Sequence, residues 1–235
     1  MRHKIKIRNY PTFKEETKLW QKGYKVVVGL DEVGRGPLAG PVCAVAVCFA
    51  LAKQTATAKS KIRNSTLRLR SGHELKIFDG IRDSKKLTAK QRERWHKVLT
   101  NNPEIKWGIG MVSEKIIDKI NIREATKLAM RRAIEALRIE PDFLLLDGNF
   151  VLEELSVNQK SIIRGDEKII SCAAASIIAK VTRDRLMKKY HKKFPQYGFD
   201  KHKGYGTKKH FEKIQKHGPC KIHRLSFAPF ASRNY

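Results

Sequence analysis

The stretch Val26–Val42, VVVGLDEVGRGPLAGPV, sets two carboxylates, Asp31 and Glu32, between an apolar run and a glycine-rich turn that carries one arginine. Val26 to Asp31, three valines and a leucine around Gly29, reads as a buried strand, and Val42 to Leu51 as a second. The glycines and prolines of GRGPLAGP mark a turn, so the two strands are expected to pair as a hairpin. Further along, Thr88–Leu99 has the pattern of a capped, charged helix, and IKWGIGMV, Ile105–Val112, that of a third strand. Arg123–Arg138 is amphipathic, with Ala125, Leu128, Ala129, Ala133, Ile134 and Leu137 on one face. DFLLLD, Asp142–Asp147, is a strand that again ends on a carboxylate. Ile169–Tyr190 opens with small residues and closes on a basic tail, as expected of a helix packed closely on a sheet. An α/β domain follows from this alternation. The first 24 residues read as a short lead-in helix or arm, and Ala52–Arg82 as a basic insertion without periodicity. Residues 191–235, rich in His, Lys and Gly, read as a helical appendage without a core of its own.

Charge narrows the class of partner. In 235 residues, 50 Lys and Arg stand against 23 Asp and Glu, a net charge of +27. That exceeds what solubility requires and points to a polyanion, nucleic acid first. A membrane surface fits less well: no stretch reaches the roughly 18 apolar residues of a spanning helix, and no basic helix carries a lipid-facing stripe. The N-terminal segment has no apolar h-region, so the chain is expected to be cytoplasmic. Cys43, Cys48, Cys172 and Cys220 lack CxxC spacing and read as reduced, structural thiols. His202, His210 and His223 have lysine neighbours rather than cysteines, which favours phosphate contacts or structural hydrogen bonds over zinc. No oligomerisation signal is present, and a monomer is the default.

Asp31, Asp147 and Asp166 share a position, each following a strand-like segment. Strand ends converging on one sheet edge would gather them with Glu32. Carboxylates packed together need a cation, and oxygen-only ligands favour Mg²⁺ or Mn²⁺ over zinc. Two such ions, about 3.5–4 Å apart, could hold the attacking water and the leaving oxygen of a phosphodiester displacement. Taken singly, each residue reads otherwise. Asp147 before Gly148 is a turn signal, and Asp166 after Gly165 caps a helix. Asp31 and Glu32, as strand neighbours, face opposite ways unless the strand ends or bends there, which Gly34 and Gly36 permit. Spacing alone leaves both readings open.

The motifs themselves go further. GLDEVGRGPLAGPV resembles the signature of the type 2 ribonucleases H, the ribonuclease HII family. The further segments DSKKL (Asp83–Leu87), LLDG (Leu145–Gly148), GDEKIISCAAASIIAKVTRDR (Gly165–Arg185), FPQYGFDKHKGY (Phe194–Tyr205) and HRLSF (His223–Phe227) follow in the family's order. The resemblance implies a ribonuclease H-like α/β fold: a mixed five-stranded sheet flanked by helices, with a C-terminal helical extension. It divides the chain into an arm (1–24), a catalytic core (25–190, with the insertion at about 52–82) and an extension (191–235). It also implies cleavage of the RNA strand of RNA/DNA hybrids. Duplex DNA would be incised 5′ to embedded ribonucleotides by two Mg²⁺ or Mn²⁺ ions, leaving 3′-hydroxyl and 5′-phosphate ends. The metal-site carboxylates fall on Asp31, Glu32, Asp147 and Asp166. Gly34, Arg35 and Gly36 fall where the family reads the ribose 2′-hydroxyl. Tyr205 matches a tyrosine that stacks at the sugar of the 3′ deoxynucleotide, Lys85 matches a lysine near the scissile phosphate, and Ser84 and Ser176 line the substrate groove.

Three departures from the family pattern stand out: Arg164 where lysine is usual, Gly206 where proline usually follows the tyrosine, and the length of the basic insertion. Asp184 is expected to pair with Arg183 or Lys188 on its helix face. A non-catalytic basic duplex-binding protein would explain the charge but not carboxylates at strand ends. A resolvase or a type 3 ribonuclease H would share the acids but not the pairing of GRG with Tyr205.

Overall fold

The computed structural model describes residues 10–49, 78 and 80–231. The hairpin expected at the opening motif is present. β1 (Val27–Val33) pairs antiparallel with β2 (Val42–Phe49), Val28 opposite Cys48 and Val33 opposite Cys43. Residues Cys43, Val45, Val47 and Phe49 of β2 face one side of the sheet, and Val42, Ala44, Ala46 and Cys48 face the other. All eight are buried, which is why this strand reads as an unbroken apolar run.

α1 (Lys14–Gln21) precedes the hairpin, and α2 (Ala89–Asn101) follows it with a capping box between Thr88 and Gln91. β3 (Ile105–Val112) pairs antiparallel with the outer side of β2, and α3 (Glu114–Ala136) follows. β4 (Phe143–Asp147) and β5 (Asn158–Ile162) add in parallel on the other edge of β1, giving the order β3-β2-β1-β4-β5. The sheet is mixed and five-stranded, as expected. β5 had no bounds from sequence because NQKSI is an edge strand without a buried residue.

α4 (Ile170–Lys193) and α2 cover one face through Ala174, Ala175, Ile177, Ile178 and Leu99, while Ala125, Ala129, Met130 and Ala133 of α3 cover the other. Small residues let these layers close up: a Cβ at Gly110 would fall 2.0 Å from the Ala129 carbonyl oxygen. α3 starts well before Arg123 because two helical segments meet at Asn121, whose backbone is left-handed (φ 63°). Its side chain caps the second segment, accepting from the amides of Arg123 (2.9 Å) and Glu124 (3.2 Å).

The N-terminal segment, where described, carries a short lead-in helix, α1, docked on the core: Phe13 meets the Phe49 ring at 5.1 Å. Glu16, on α1, is buried and accepts from both the amide (3.0 Å) and the hydroxyl (2.8 Å) of Ser171 in the first turn of α4. The basic insertion lies almost entirely outside the described residues, but its end is core: Phe78 and Ile81 are buried against Phe49 and its neighbours.

The C-terminal extension, with α5 (Phe199–His202) and α6 (Lys208–His217), does have a core. Tyr197, Phe199, Ile214, Ile222 and Phe230 pack with Met187 of α4 around Leu38 and Ala39 of the β1–β2 connection. Its apolar residues are scattered singly, so no periodic run announces it. Among the described residues no helix is long and apolar enough to cross a membrane.

Candidate active site

β1 and β4 pair in parallel as far as Leu30 opposite Leu146. The next residues, Asp31 and Asp147, therefore stand side by side where the parallel pairing of β1 and β4 ends, the kind of place at which an α/β sheet offers a crevice. Asp166 arrives in the 3₁₀ turn Gly165–Glu167 that follows β5, and the Gly165 amide donates to Asp147 Oδ1 at 2.7 Å, tying the turn to the strand end. Oxygens of Asp31, Asp147 and Asp166 all lie within 4.8 Å of one another. Glu32 stands beside this trio rather than in it. β1 continues to Val33, so strand alternation turns Glu32 aside. Its Oε1 accepts from Arg35 Nη1 at 3.3 Å, and its Oε2 is buried without a hydrogen-bond partner among the described residues.

Burial raises the Asp31 pKa well above the usual range, and the charges of Glu32, Asp147 and Asp166 add to it against a hydrogen bond from Ser176. Asp166 is pushed up to about 7 by burial and by Asp147 and Asp83, with Lys85 opposing. Burial also raises Glu32, with Arg35 opposing and Asp147 adding. Carboxylates gathered this closely out of water hold protons near neutrality unless a cation replaces them. The donor set is all oxygen, three atoms are within reach of one ion, and Glu32 has a spare buried oxygen, so these residues fit a hard divalent cation.

Lys85 Nζ lies 3.8 Å from Asp166 Oδ2 at the exposed edge. Burial works against its charge, but Asp166, Asp83, Asp31 and Asp147 together outweigh it and raise its pKa. Lys86 turns away to Glu167 at 3.1 Å. The hydroxyls of Ser84 and Ser176 are 2.9 Å apart, so the two expected groove residues meet. Asp83, which no sequence signal singled out as acidic-site chemistry, is buried beside Asp166 and accepts from the Lys85 amide at 2.9 Å. Its one mark is the first letter of DSKKL, a carboxylate capping a short helical turn.

The GRG loop is held by two buried arginines whose role is likewise hidden in the sequence. Arg183, on α4, donates to the carbonyls of Pro41 (2.9 Å), Ala39 (3.0 Å) and Lys203 (3.0 Å). Arg224 donates to those of Gly34 (2.6 Å), Arg35 (2.9 Å) and Gly40 (2.7 and 2.9 Å). Arg183 therefore does not pair with Asp184, which instead binds Lys180 at 2.8 Å. Gly34 has φ of +93°, and a Cβ there would fall 2.3 Å from Arg183 Nε. At Gly36 a Cβ would meet only the ring of Tyr205, at 3.8 Å. Tyr205 is 41% exposed, so GRG and the tyrosine form one surface beside the carboxylates.

The sequence profile of the family Ribonuclease HII matches residues 70–230. The chain is 47% identical over 215 residues to the ribonuclease HII of Caldicellulosiruptor bescii, covering 92% of each. This chain belongs to the ribonuclease HII family. The Chlamydia caviae ribonuclease HII is also 47% identical, over 91% of this chain and 89% of that protein. Among solved structures, the ribonuclease H2 of Pyrococcus horikoshii OT3 matches with a TM-score of 0.65 at 25% identity, covering 88% of this chain and 96% of the other. Ribonuclease HII membership makes the chain a metal-dependent endoribonuclease, and its sheet and flanking helices are the ribonuclease H-like fold.

Proposed function

We propose that this chain hydrolyses the RNA strand of RNA/DNA hybrids and nicks duplex DNA immediately 5′ to an embedded ribonucleotide, leaving a 3′-hydroxyl and a 5′-phosphate. The observation that carries the reading is the gathering of Asp31, Asp147 and Asp166 where the parallel pairing of β1 and β4 ends, beside the GRG loop and Tyr205. Asp31, Glu32, Asp147 and Asp166 would hold two Mg²⁺ or Mn²⁺ ions, whose chemistry is to activate the attacking water and stabilise the departing 3′-oxygen.

The chain's own residues do the rest. Ser176 stands beside Asp31 and opposes the rise in its pKa, and the Ser84 and Ser176 hydroxyls hydrogen-bond each other. Lys85, at the groove edge, pairs with the scissile phosphate. Gly36, with no side chain, lets the ribose approach the backbone, where the 2′-hydroxyl separates RNA from DNA. Tyr205 then stacks on the sugar of the next deoxynucleotide. Because the cut lies 5′ to the ribonucleotide, its 2′-hydroxyl is read and does not attack.

The test is a DNA duplex with a single ribonucleotide, incubated with Mg²⁺, Mn²⁺ or EDTA, alongside Asp31→Asn. The expected product is a nick directly 5′ to the ribonucleotide that disappears with EDTA and with the variant. Cleavage without divalent cation would refute the metal assignment. Tight binding with no nick in either metal would favour the non-catalytic duplex binder instead.

A further inference from the structure

Three histidines lie beneath the turn that carries Tyr205. His210 and His223 are buried, with their Nε2 atoms 3.1 Å apart, and His202 stacks on His210 with centroids 4.3 Å apart. Their partners determine where each proton sits. The Cys220 amide, which can only donate, lies 2.8 Å from His223 Nδ1, so that nitrogen is bare and Nε2 carries the hydrogen. The Cys220 carbonyl lies farther from the same nitrogen, at 3.3 Å, and accepts from the His223 amide at 2.9 Å, so the amide contact decides the tautomer. His223 Nε2–H then donates to His210 Nε2, which leaves the His210 hydrogen on Nδ1, donating to the Tyr205 carbonyl at 2.9 Å. His202 follows the same rule, accepting the Gly204 amide at Nδ1 (3.2 Å) and donating from Nε2 to the Tyr197 carbonyl (2.7 Å). One hydrogen-bond chain with a fixed direction thus runs from residue 220 through two neutral rings to the backbone of Tyr205.

We propose that His210 and His223 are a tautomer-locked pair that positions Tyr205, and through it sets how strongly the enzyme prefers an RNA-to-DNA junction over uninterrupted RNA. The selectivity half rests on the role given to Tyr205 above. The Tyr205 side chain is 41% exposed, and its backbone is tied on both sides. The amide donates to the His202 carbonyl at 3.0 Å, and the carbonyl accepts from Thr207 at 2.9 Å and from His210.

The surroundings keep the pair neutral. Phe199, Phe230 and Tyr197 ring it at 5.0–5.7 Å, and the ionisable groups against it are His202, Cys220 and Tyr197. A second proton would set two N–H groups against each other across 3.1 Å. The relay also separates substitutions by geometry. His210→Asn keeps an amide donor near the place of Nδ1, whereas His210→Gln moves it to the place of Nε2 and leaves the Tyr205 carbonyl without that donor.

Two measurements on the full chain test this. Long-range ¹⁵N–¹H spectra of the histidine rings at neutral pH are expected to show Nε2–H at His223 and His202 and Nδ1–H at His210. Any other tautomer at His210 or His223 overturns the relay, whatever Tyr205 does. The second measurement is the ratio of single-ribonucleotide incision to cleavage of an all-RNA strand. Tyr205→Ala should lower that ratio roughly 10-fold, the scale of one missing aromatic stack. His210→Gln should lower it several-fold, His210→Asn should hold it near wild type, and His210→Gln should add nothing to Tyr205→Ala. A ratio preserved in His210→Gln while Tyr205→Ala loses it, or lost equally in His210→Asn, overturns the positioning role. Should His210→Gln fail to fold, His210→Asn and the spectra decide. If Tyr205→Ala itself leaves the ratio unchanged, the reading of Tyr205 falls and the selectivity role with it, while the spectra still decide the relay.

Discussion

Gly34 and Gly36 stand two positions apart in one loop and answer to different demands. A Cβ at Gly34 would collide with Arg183 in a left-handed backbone, so Gly34→Ala should lower stability by about 2–4 kcal/mol through overpacking and strain. A Cβ at Gly36 makes ordinary contact with Tyr205, so Gly36→Ala should leave the urea midpoint unchanged while cutting incision at a ribonucleotide at least ~10-fold, the scale of one poorly placed substrate contact. Urea titrations and nicking assays of the two variants, run together, separate a glycine kept for packing from one kept for the ligand.

The carboxylates make a prediction that needs no turnover. Mn²⁺ should raise the melting temperature relative to EDTA, by the equivalent of about 2.7 kcal/mol at a hundred times the dissociation constant. Asp31→Asn should lose that rise. In EDTA alone it should melt no lower than wild type, because it removes a carboxylate that burial and its neighbours disfavour. Thermal melts with and without metal check both. Asp31, Asp147 and Asp166 are legible in the sequence because each follows a strand-like segment, although Asp31 proves to lie within β1 and Asp147 to be the last residue of β4. Arg183 and Arg224 are not, because a buried arginine bound to carbonyls up to 190 residues away has no local pattern.

Among the elements, β1 to β4 are legible to within two residues, β1, β2 and β4 because each has a buried apolar run and β3 because its apolar residues and glycines stand apart from the charged segments on either side, and α2 because Thr88 and Gln91 form a capping box at its start. β5 lacks an apolar side, and the first segment of α3 is hidden by the break at Asn121. The C-terminal elements carry a pH signature. His210 and His223 are both held at about 4, below the ordinary histidine value, chiefly by burial. An unfolded chain therefore takes up their protons first. Their contribution to stability is complete above about 6.5 and is lost as pH falls towards 4, at up to ~1.4 kcal/mol per pH unit for each ring. Glu16 and Asp166, raised to about 7, have the opposite sign, since the folded chain binds their protons more readily between pH 7 and the ordinary carboxylate range. The clean measurement is thus residue by residue. In a histidine NMR titration, His210 and His223 should stay neutral until near pH 4, and a midpoint near 6.5 for either would contradict the burial that the fold gives them.

For the whole molecule, the net charge of +27 is a statement about association. Lys208, Lys209, Lys213 and Lys216 lie exposed on α6, the helix that follows Tyr205. Changing all four to Gln should flatten the dependence of log Kd on log salt by about 0.9 for each phosphate that is no longer neutralised, with the site of incision unchanged. Binding measured from low to moderate salt reads this directly, and an unchanged slope would assign the phosphates to other lysines and arginines.

The arginine clamp on the GRG loop also has a consequence in time. The three clustered acids are all synthesised by residue 166, yet Gly34 and Arg35 wait for Arg224 to hold them. At about 5–20 residues per second, a nascent chain spends seconds with its acids made and its recognition loop unanchored. A chain cut short before Arg224 would keep most of its charge for gripping a duplex while lacking the anchor with which to choose where to cut.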